Sequence, residues 1–349
     1  MGYKHYAFPK IRQFRTAIRE IAHRAQFVGV DDDGELIMNR NAELPVLKFR
    51  GTVKLHGCNA GIVRHPDGMI TFQSRTRRLT PVGDTFGFAK YMEEEVGNNA
   101  LTDFFMTNIR HEEDDVVCVY GEWCGRKVQK NVAISTLDKM FVIFAIRVGN
   151  EENGWRWLDM KKNPIEMPDH RIFNIMNFPH YELEIDFNKP HEAQAEMVRL
   201  VEQVEARCPV GHAMGSDGVG EGIVWSCWED GWNNSRFFFK TKGAKHSASK
   251  VKVLAAVDIE KAKSVADFVD YAVTENRLQQ GLDFLRENEK PLDRCSTPDY
   301  LRWVANDVLS EEEDTMEASG LTKKDIGKAV STKARKWFFG YLDEHPLEM

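Results

Sequence analysis

The sequence predicts an α+β fold, with a largely antiparallel sheet followed by a helical C-terminal region. Three observations point there. Short β-like runs recur from about residue 45 to 245, at 44–55, 60–65, 68–75, 116–123, 140–148, 222–228 and 236–242. They are separated by Gly, Asp and Asn turns such as His65-Pro66-Asp67-Gly68 and Gly149-Asn150-Glu151. Only two helical inserts interrupt them, near 84–108 and 190–207, which is not the regular alternation of a βαβ chain. After Lys250 the strand signals give out and helix-start signals take over.

Taken in order, Ile11, Phe14, Ile18 and Ile21 recur at helical spacing with basic residues between them, so the chain opens on an amphipathic helix. Asp31-Asp32-Asp33-Gly34 then makes a turn before the β-rich region. Beyond residue 250, Ser264 with Asp267 and Thr322 with Asp325 have the spacing of capping boxes or close variants. Thr297-Pro298-Asp299 places Pro at the start of a helix. The expected organisation is two domains, 1–249 and 250–349, with no internal repeat.

Composition excludes several classes. The 349 residues are 42% hydrophobic and 11% aromatic, enough for a sizeable core and unlike a disordered chain. With 47 Lys+Arg against 54 Asp+Glu the net charge is −7, and residues 250–349 carry 15 basic against 20 acidic side chains, net −5. Coating nucleic acid by bulk charge is thereby disfavoured, though a local basic groove is not. No run approaches the roughly 20 apolar residues of a membrane helix, so no membrane partner is expected. The charged, aromatic N-terminus lacks a secretory pattern, and six scattered cysteines without a CxxC pair read as reduced thiols. A cytoplasmic location is the expectation.

No phosphate-binding loop of the GxxxxGK[ST] or GxGxxG kind occurs; the glycine-rich run 215–222 fits neither. Polar groups placed at strand ends remain. Lys54 follows an apolar strand and precedes Gly57, which permits close backbone approach; Arg75 ends the run 68–75; Glu122 follows 116–121; Glu221 precedes 222–228. Lys240 and Lys242 alternate along one strand and therefore share a face. Singly, each reads as a solvated charge. Together they suit nucleophilic chemistry. A lysine amine is protonated near neutral pH at its ordinary pKa of about 10.4, and nearby cations, a metal or desolvation would lower it. Lys240 and Lys242 can supply such charge and hold phosphate oxygens, and Glu122 and Glu221 are hard-oxygen donors of the kind Mg²⁺ prefers.

These residues also carry a resemblance. Lys54-Leu55-His56-Gly57-Cys58-Asn59 resembles motif I of the covalent nucleotidyltransferases in the KxHGxN form typical of RNA ligases. Ser74-Arg75 resembles motif Ia, Tyr120-Gly121-Glu122 motif III, Phe141-Val142-Ile143-Phe144 motif IIIa, Glu221-Gly222-Ile223-Val224 motif IV and Lys240-Thr241-Lys242 motif V. Six motifs in order across residues 54–242 make the chain similar to the ATP-dependent, nick-sealing RNA ligases of the phage RNA ligase 2 type. Val53 and Ala60 depart from the family's usual polar and aromatic residues at those places.

The resemblance implies an antiparallel-sheet nucleotidyltransferase (ATP-grasp-like ligase) domain over 1–249 and an all-helical C-terminal domain that helps present RNA. It implies ATP and Mg²⁺ as cofactors, with Mn²⁺ able to substitute, and RNA ends or a nicked duplex as partner, a monomer being favoured. Lys54 would attack the α-phosphate of ATP to form lysyl-AMP. AMP would pass to an RNA 5′-phosphate and then be displaced by a 3′-hydroxyl. Leu55, His56, Asn59, Arg75, Glu122 and Phe144 would hold the nucleotide, with Phe144 stacked on adenine. Glu221, with Glu122, would take the metal, and Lys240 and Lys242 the α-phosphate. Alternatives at this point are a ligase of DNA or DNA-splinted nicks, a guanylyltransferase, and a non-catalytic RNA-binding protein on a ligase fold.

Other charged stretches have blander readings. Arg75 to Arg78, Arg126-Lys127 with Lys130, and the run from Lys240 to Lys252 are solvated loops, or phosphate-tracking groups in a ligase. Glu112 to Asp115 reads as a solvated turn and Glu311 to Glu313 as a helix N-terminus. The tryptophans read as core, and Cys58 as a small apolar filler.

Overall fold

A computed structural model describes residues 2–243 and 265–345. The described residues fall into two compact units that divide after Gly243. Ser264, the expected boundary at 249/250, and Lys245, His246, Lys250 and Lys252 of the basic run lie outside the described residues.

The first unit holds two main sheets. In the larger, Gly154–Leu158, Met140–Asn150, Val116–Cys124, Cys58–Arg64, Ile70–Ser74 and Arg78–Leu79 pair antiparallel in that order, and Ile172–Asn174 runs parallel beside Met140–Asn150. The smaller runs Arg12–Gln13, Phe239–Lys242, Gly222–Cys227, Val46–Lys54 and His180–Asp186, antiparallel except for the first pair. A hairpin, Phe27–Val30 with Leu36–Met38, flanks the acidic turn.

The strand runs read from the sequence therefore distribute over two sheets rather than one. The two sheets meet in sequence at the segment 55–57, which links the end of Val46–Lys54 to the start of Cys58–Arg64.

Strand alternation sets the layers. On the larger sheet, Cys58, Ala60, Ile62, Val117, Val119 and Phe141 face a core shared with Phe88, Met92, Leu101, Phe104 and Phe105 of the first helical insert. The opposite face, with Val63, Cys118, Tyr120 and Ala145, packs against Tyr6, Phe8, Phe144, Trp155 and Trp157. The smaller sheet is held by an aromatic cluster of Phe14, Phe49, Phe187 and Phe239. Its first helix, Phe14–Gln26, buries Phe14, Ala17 and Ile21. The second insert forms Gln194–Ala206.

The second unit is helical among its described residues: Val265–Ala272, Glu275–Glu287, Thr297–Glu311, Glu313–Ala318 and Lys323–Glu344. Both halves of the Thr322/Asp325 capping box form, with the Thr322 backbone N–H donating to Asp325 at 2.7 Å. The run Glu311 to Glu313 closes one helix and, as read, lies at the N-terminus of the next, Glu313–Ala318, with Glu312 at its N-cap. Glu312 is fully buried there against Arg277. Likewise Asp115, at the end of the acidic run 112–115, is buried and accepts from the Glu112 N–H.

Candidate active site

Three strands of the smaller sheet bring distant charges to one edge. Val46–Lys54 and Phe239–Lys242 both end there, and Gly222–Cys227 starts there, between them. The central strand is antiparallel to both neighbours, so Gly222 stands opposite Lys54 on one side and Lys242 on the other. Glu221, one residue earlier, is thereby delivered between two lysines. Gly222 has a backbone φ of 155°, and a Cβ there would collide with the Thr241 carbonyl oxygen and come within 2.9 Å of Lys242 Cα. Only glycine allows that close approach.

The result is a cluster in which one carboxylate joins two ammonium groups. Lys54 Nζ donates to Glu221 Oε2 at 2.6 Å, and Lys242 Nζ lies 2.7 Å from Oε1. His56 Nδ1 lies 3.6 Å from Oε2. The Glu221 side chain is 3% exposed, whereas Lys54 and Lys242 keep 24% and 16% of theirs open to solvent.

Glu122 belongs to the larger sheet, directly opposite Asn59, so both side chains leave the same face. Its Oε1 accepts the Gly57 N–H at 2.9 Å. A Cβ on Gly57 would strike the Trp123 carbonyl oxygen and lie 2.8 Å from Cys124 Cβ, so the close backbone approach expected at this glycine is present.

The electrostatics differ from the sequence expectation in one respect. Burial acts to lower the pKa of Lys54, but the charges of Glu221 and Glu122 outweigh it and hold the amine above its ordinary value. Arg75, exposed in the turn after Ile70–Ser74, opposes this only weakly. Two carboxylates, Glu221 and Glu122, act on this amine, and Lys242, expected to depress Lys54 by repulsion, is itself paired with Glu221. Burial would raise the Glu221 carboxyl, yet Lys242 and Lys54 hold it well below the usual range. Glu122 goes the other way, pushed up by burial despite Lys54 and further by Glu221.

The remaining candidates sit around this cluster. Lys240 is two residues back on the same strand face as Lys242, opposite Val224 and Gln13. Leu55 is buried, leaving its backbone as the part that can meet a ligand. Phe144 is half-buried, edge-on to Phe8 with ring centroids 4.9 Å apart. Cys58 is a buried free thiol. Trp123 and Trp225 are core, as read. Gly222 carries no signal in the sequence beyond its place after Glu221; its double register appears only in the sheet.

Among the described residues no three His, Cys, Asp or Glu side chains converge as a metal cage. The chemistry of Glu221 and Glu122, two carboxylates whose charges both act on Lys54, fits a hard cation that takes its other ligands from phosphate and water.

The sequence model of one family, RNA ligase, matches residues 47–242, more than half of the chain and the whole span that holds Lys54, Glu122, Glu221 and Lys242. The chain belongs to the RNA ligase family. Among solved structures it is similar to Naegleria gruberi RNA ligase with PPi, at 15% identity and a TM-score of 0.40, covering 69% of this chain and 56% of that one. A mutant of the same ligase with AMP and Mn gives 14% identity, a TM-score of 0.38 and coverage of 68% and 56%. This chain thus spans little more than half the length of those ligases, and at such scores the superposition adds nothing to the family assignment. No curated protein sequence matches the chain.

Proposed function

We propose that this protein is an ATP- and Mg²⁺-dependent RNA ligase that joins RNA 3′-hydroxyl and 5′-phosphate ends through a Lys54–AMP intermediate and serves RNA repair by nick sealing. The observation that carries the reading is the Lys54–Glu221–Lys242 cluster, assembled at 2.6 and 2.7 Å from three strands at one sheet edge. Family membership adds the class of reaction.

In the resting site Lys54 is held as an ammonium by Glu221. Triphosphate oxygens entering the site offer Lys242 and Lys240 an alternative partner to Glu221 and stabilise the charge that builds on the α-phosphate. A divalent cation on Glu221 and Glu122 would supply the charge neutralisation that releases Lys54 from its ion pair. The Lys54 amine, having given its proton to the solvent that reaches it, then forms a P–N bond as the P–O bond to pyrophosphate breaks. Glu122, fixed by the Gly57 N–H, and Asn59 beside it orient the nucleotide; His56 orders the loop against Glu221. Arg75, exposed beside Lys54, meets the RNA 5′-phosphate. AMP passes to that phosphate, and the 3′-hydroxyl displaces it. Residues 1–249 form the adenylyltransferase domain and 250–349 a helical domain that helps present RNA; the protein acts in the cytoplasm as a monomer. Among the described residues no helix is long and apolar enough to cross a membrane.

Intact mass after incubation with ATP and Mg²⁺ tests this: the chain gains one AMP, and Lys54→Ala gains none. Presenting the adduct with nicked RNA, nicked DNA and hybrid duplexes separates an RNA ligase from a ligase of DNA or DNA-splinted nicks. Preferential labelling by GTP would make it a guanylyltransferase. Absence of any adduct on the wild type leaves a binding protein on a ligase fold and overturns the proposal.

A further inference from the structure

The helical unit sorts its positive charges into two sets. Arg277, Arg286, Lys290, Arg294, Arg302 and Lys333 each pair with a carboxylate. Lys323, Lys324, Lys328, Arg335 and Lys336 form no ion pair among the described residues. All of this second set lie on the last helix, Lys323–Glu344, and all are exposed. Between Lys323 and Lys336 the only acidic residue is Asp325, which is committed to the cap, accepting the Thr322 N–H at 2.7 Å.

The second set is unfavourable for the helix that carries it. Residues 250–349 are net −5, so carboxylates are plentiful, yet among the described residues none is placed against these cations. Lys323 and Lys324 occupy the first turn, where the helix dipole favours acids. Lys324 and Lys328 are four apart, a spacing at which like charges repel. An anion laid along the helix relieves both.

The geometry fits an extended anion. Lys324, Lys328 and Arg335 recur at i, i+4 and i+11, so they share a face, and Lys336 borders it. From Lys324 to Lys336 the helix rises about 18 Å at 1.5 Å per residue. Ser331 and Thr332 lie along this stripe and no large apolar side chain does. The apolar face of the helix, with Ile326, Val330, Ala334, Phe338 and Leu342, is spent in the unit's own core. A membrane surface or a protein partner would need exposed apolar anchors here. A chain of phosphates needs only the cations.

We propose that the stripe of Lys324, Lys328, Arg335 and Lys336 is the surface on which the helical unit holds the phosphate backbone of an RNA strand, without reading its sequence. The choice of RNA rests on the ligase reading; the fit to an extended anion does not.

The test uses the full chain and a fluorescent nicked RNA duplex without ATP, titrated at several salt concentrations. The triple variant Lys324→Gln, Lys328→Gln, Arg335→Gln keeps good helix formers at exposed positions and melts as wild type does. It binds the duplex roughly 10²-fold more weakly at low salt, and the slope of log affinity against log salt falls by about 2 to 3. AMP attachment from ATP keeps its wild-type rate, while nick sealing shows a raised KM at unchanged kcat. A control triple, Lys290→Gln, Arg294→Gln, Arg302→Gln, removes the same charge from paired cations and leaves binding within a few-fold of wild type. Wild-type affinity and slope in the stripe variant, or equal weakening by the control, overturns the surface. Capture by phosphatidylserine vesicles that the stripe variant abolishes, with RNA affinity unchanged, overturns RNA as its occupant. Failure of the ligase reading is visible separately, as absence of the AMP adduct on the wild type while stripe-dependent RNA binding persists.

Discussion

Two three-charge clusters, one in each unit, solve opposite problems with similar parts. In the sheet unit a single carboxylate, Glu221, sits between two lysines that remain partly open to solvent. In the helical unit a single arginine, Arg277, sits between two carboxylates, donating to Asp307 at 2.9 Å and to Glu312 at 3.1 Å. Arg277 also donates to the Ala272 carbonyl, and its side chain is 0% exposed. The arginine fork fills its donor positions in a fixed geometry and excludes substrate. The lysines are point charges on flexible stems that keep part of their surface open to solvent, where an incoming anion can meet them. The partly open cluster is built from lysine at a sheet edge; the closed one is built from arginine inside a helical core.

The comparison can be broken in order of effect. Lys54→Ala abolishes AMP attachment outright, read by intact mass, while thermal melting stays within the range of an ordinary surface change. Arg277→Met does the reverse. It leaves Asp307 and Glu312 facing each other in the core and destabilises the helical unit by about 3–5 kcal/mol, read by denaturant melting. Replacing Arg277, Asp307 and Glu312 together by apolar residues of similar volume restores most of that stability, whereas no apolar replacement of Lys54, Glu221 and Lys242 restores activity. If the triple apolar variant melts as low as Arg277→Met, the helical cluster is not the passive seal described.

Lys242→Ala slows AMP attachment by about 10²–10³-fold, the usual cost of one donor aimed at developing charge. In this variant Glu221 keeps Lys54 as its sole lysine partner. A loss below tenfold would show that Lys242 serves the resting ion pair and not the reaction. The smallest effect is at the capping box: Asp325→Ala removes the acceptor of the Thr322 N–H and costs about 1 kcal/mol of helical-unit stability, with no change in AMP attachment.

Much of the candidate site was legible because the chemistry it suits needs residue types at particular strand ends. Lys54 before Gly57, Glu122 at a strand end, Glu221 before Gly222, and Lys240 with Lys242 on one strand face all follow from local spacing and strand alternation. So do the amphipathic first helix and the Thr322/Asp325 cap. Charge pairing was not legible in the same way. Glu311 to Glu313 looks like a helix N-terminus and Glu112 to Asp115 like a solvated turn, and nothing local says that Glu312 or Asp115 is the buried member. Nor does the sequence connect Arg277 to Glu312, or Arg147 to two tryptophans on a neighbouring strand.

The sequence by itself determined the mixture of strands and helices, the order of the strands' polar ends and the choice of Lys54 as the candidate amine, because period, turn chemistry and motif spacing are local properties. Only the tertiary structure decided that Glu221 pairs with both Lys54 and Lys242 and that Glu122 adds a second negative charge near Lys54, so that the amine rests above its ordinary pKa and not below it. Electrostatic energy depends on separations of a few ångströms between residues up to 188 positions apart, and register across a sheet is what sets those separations.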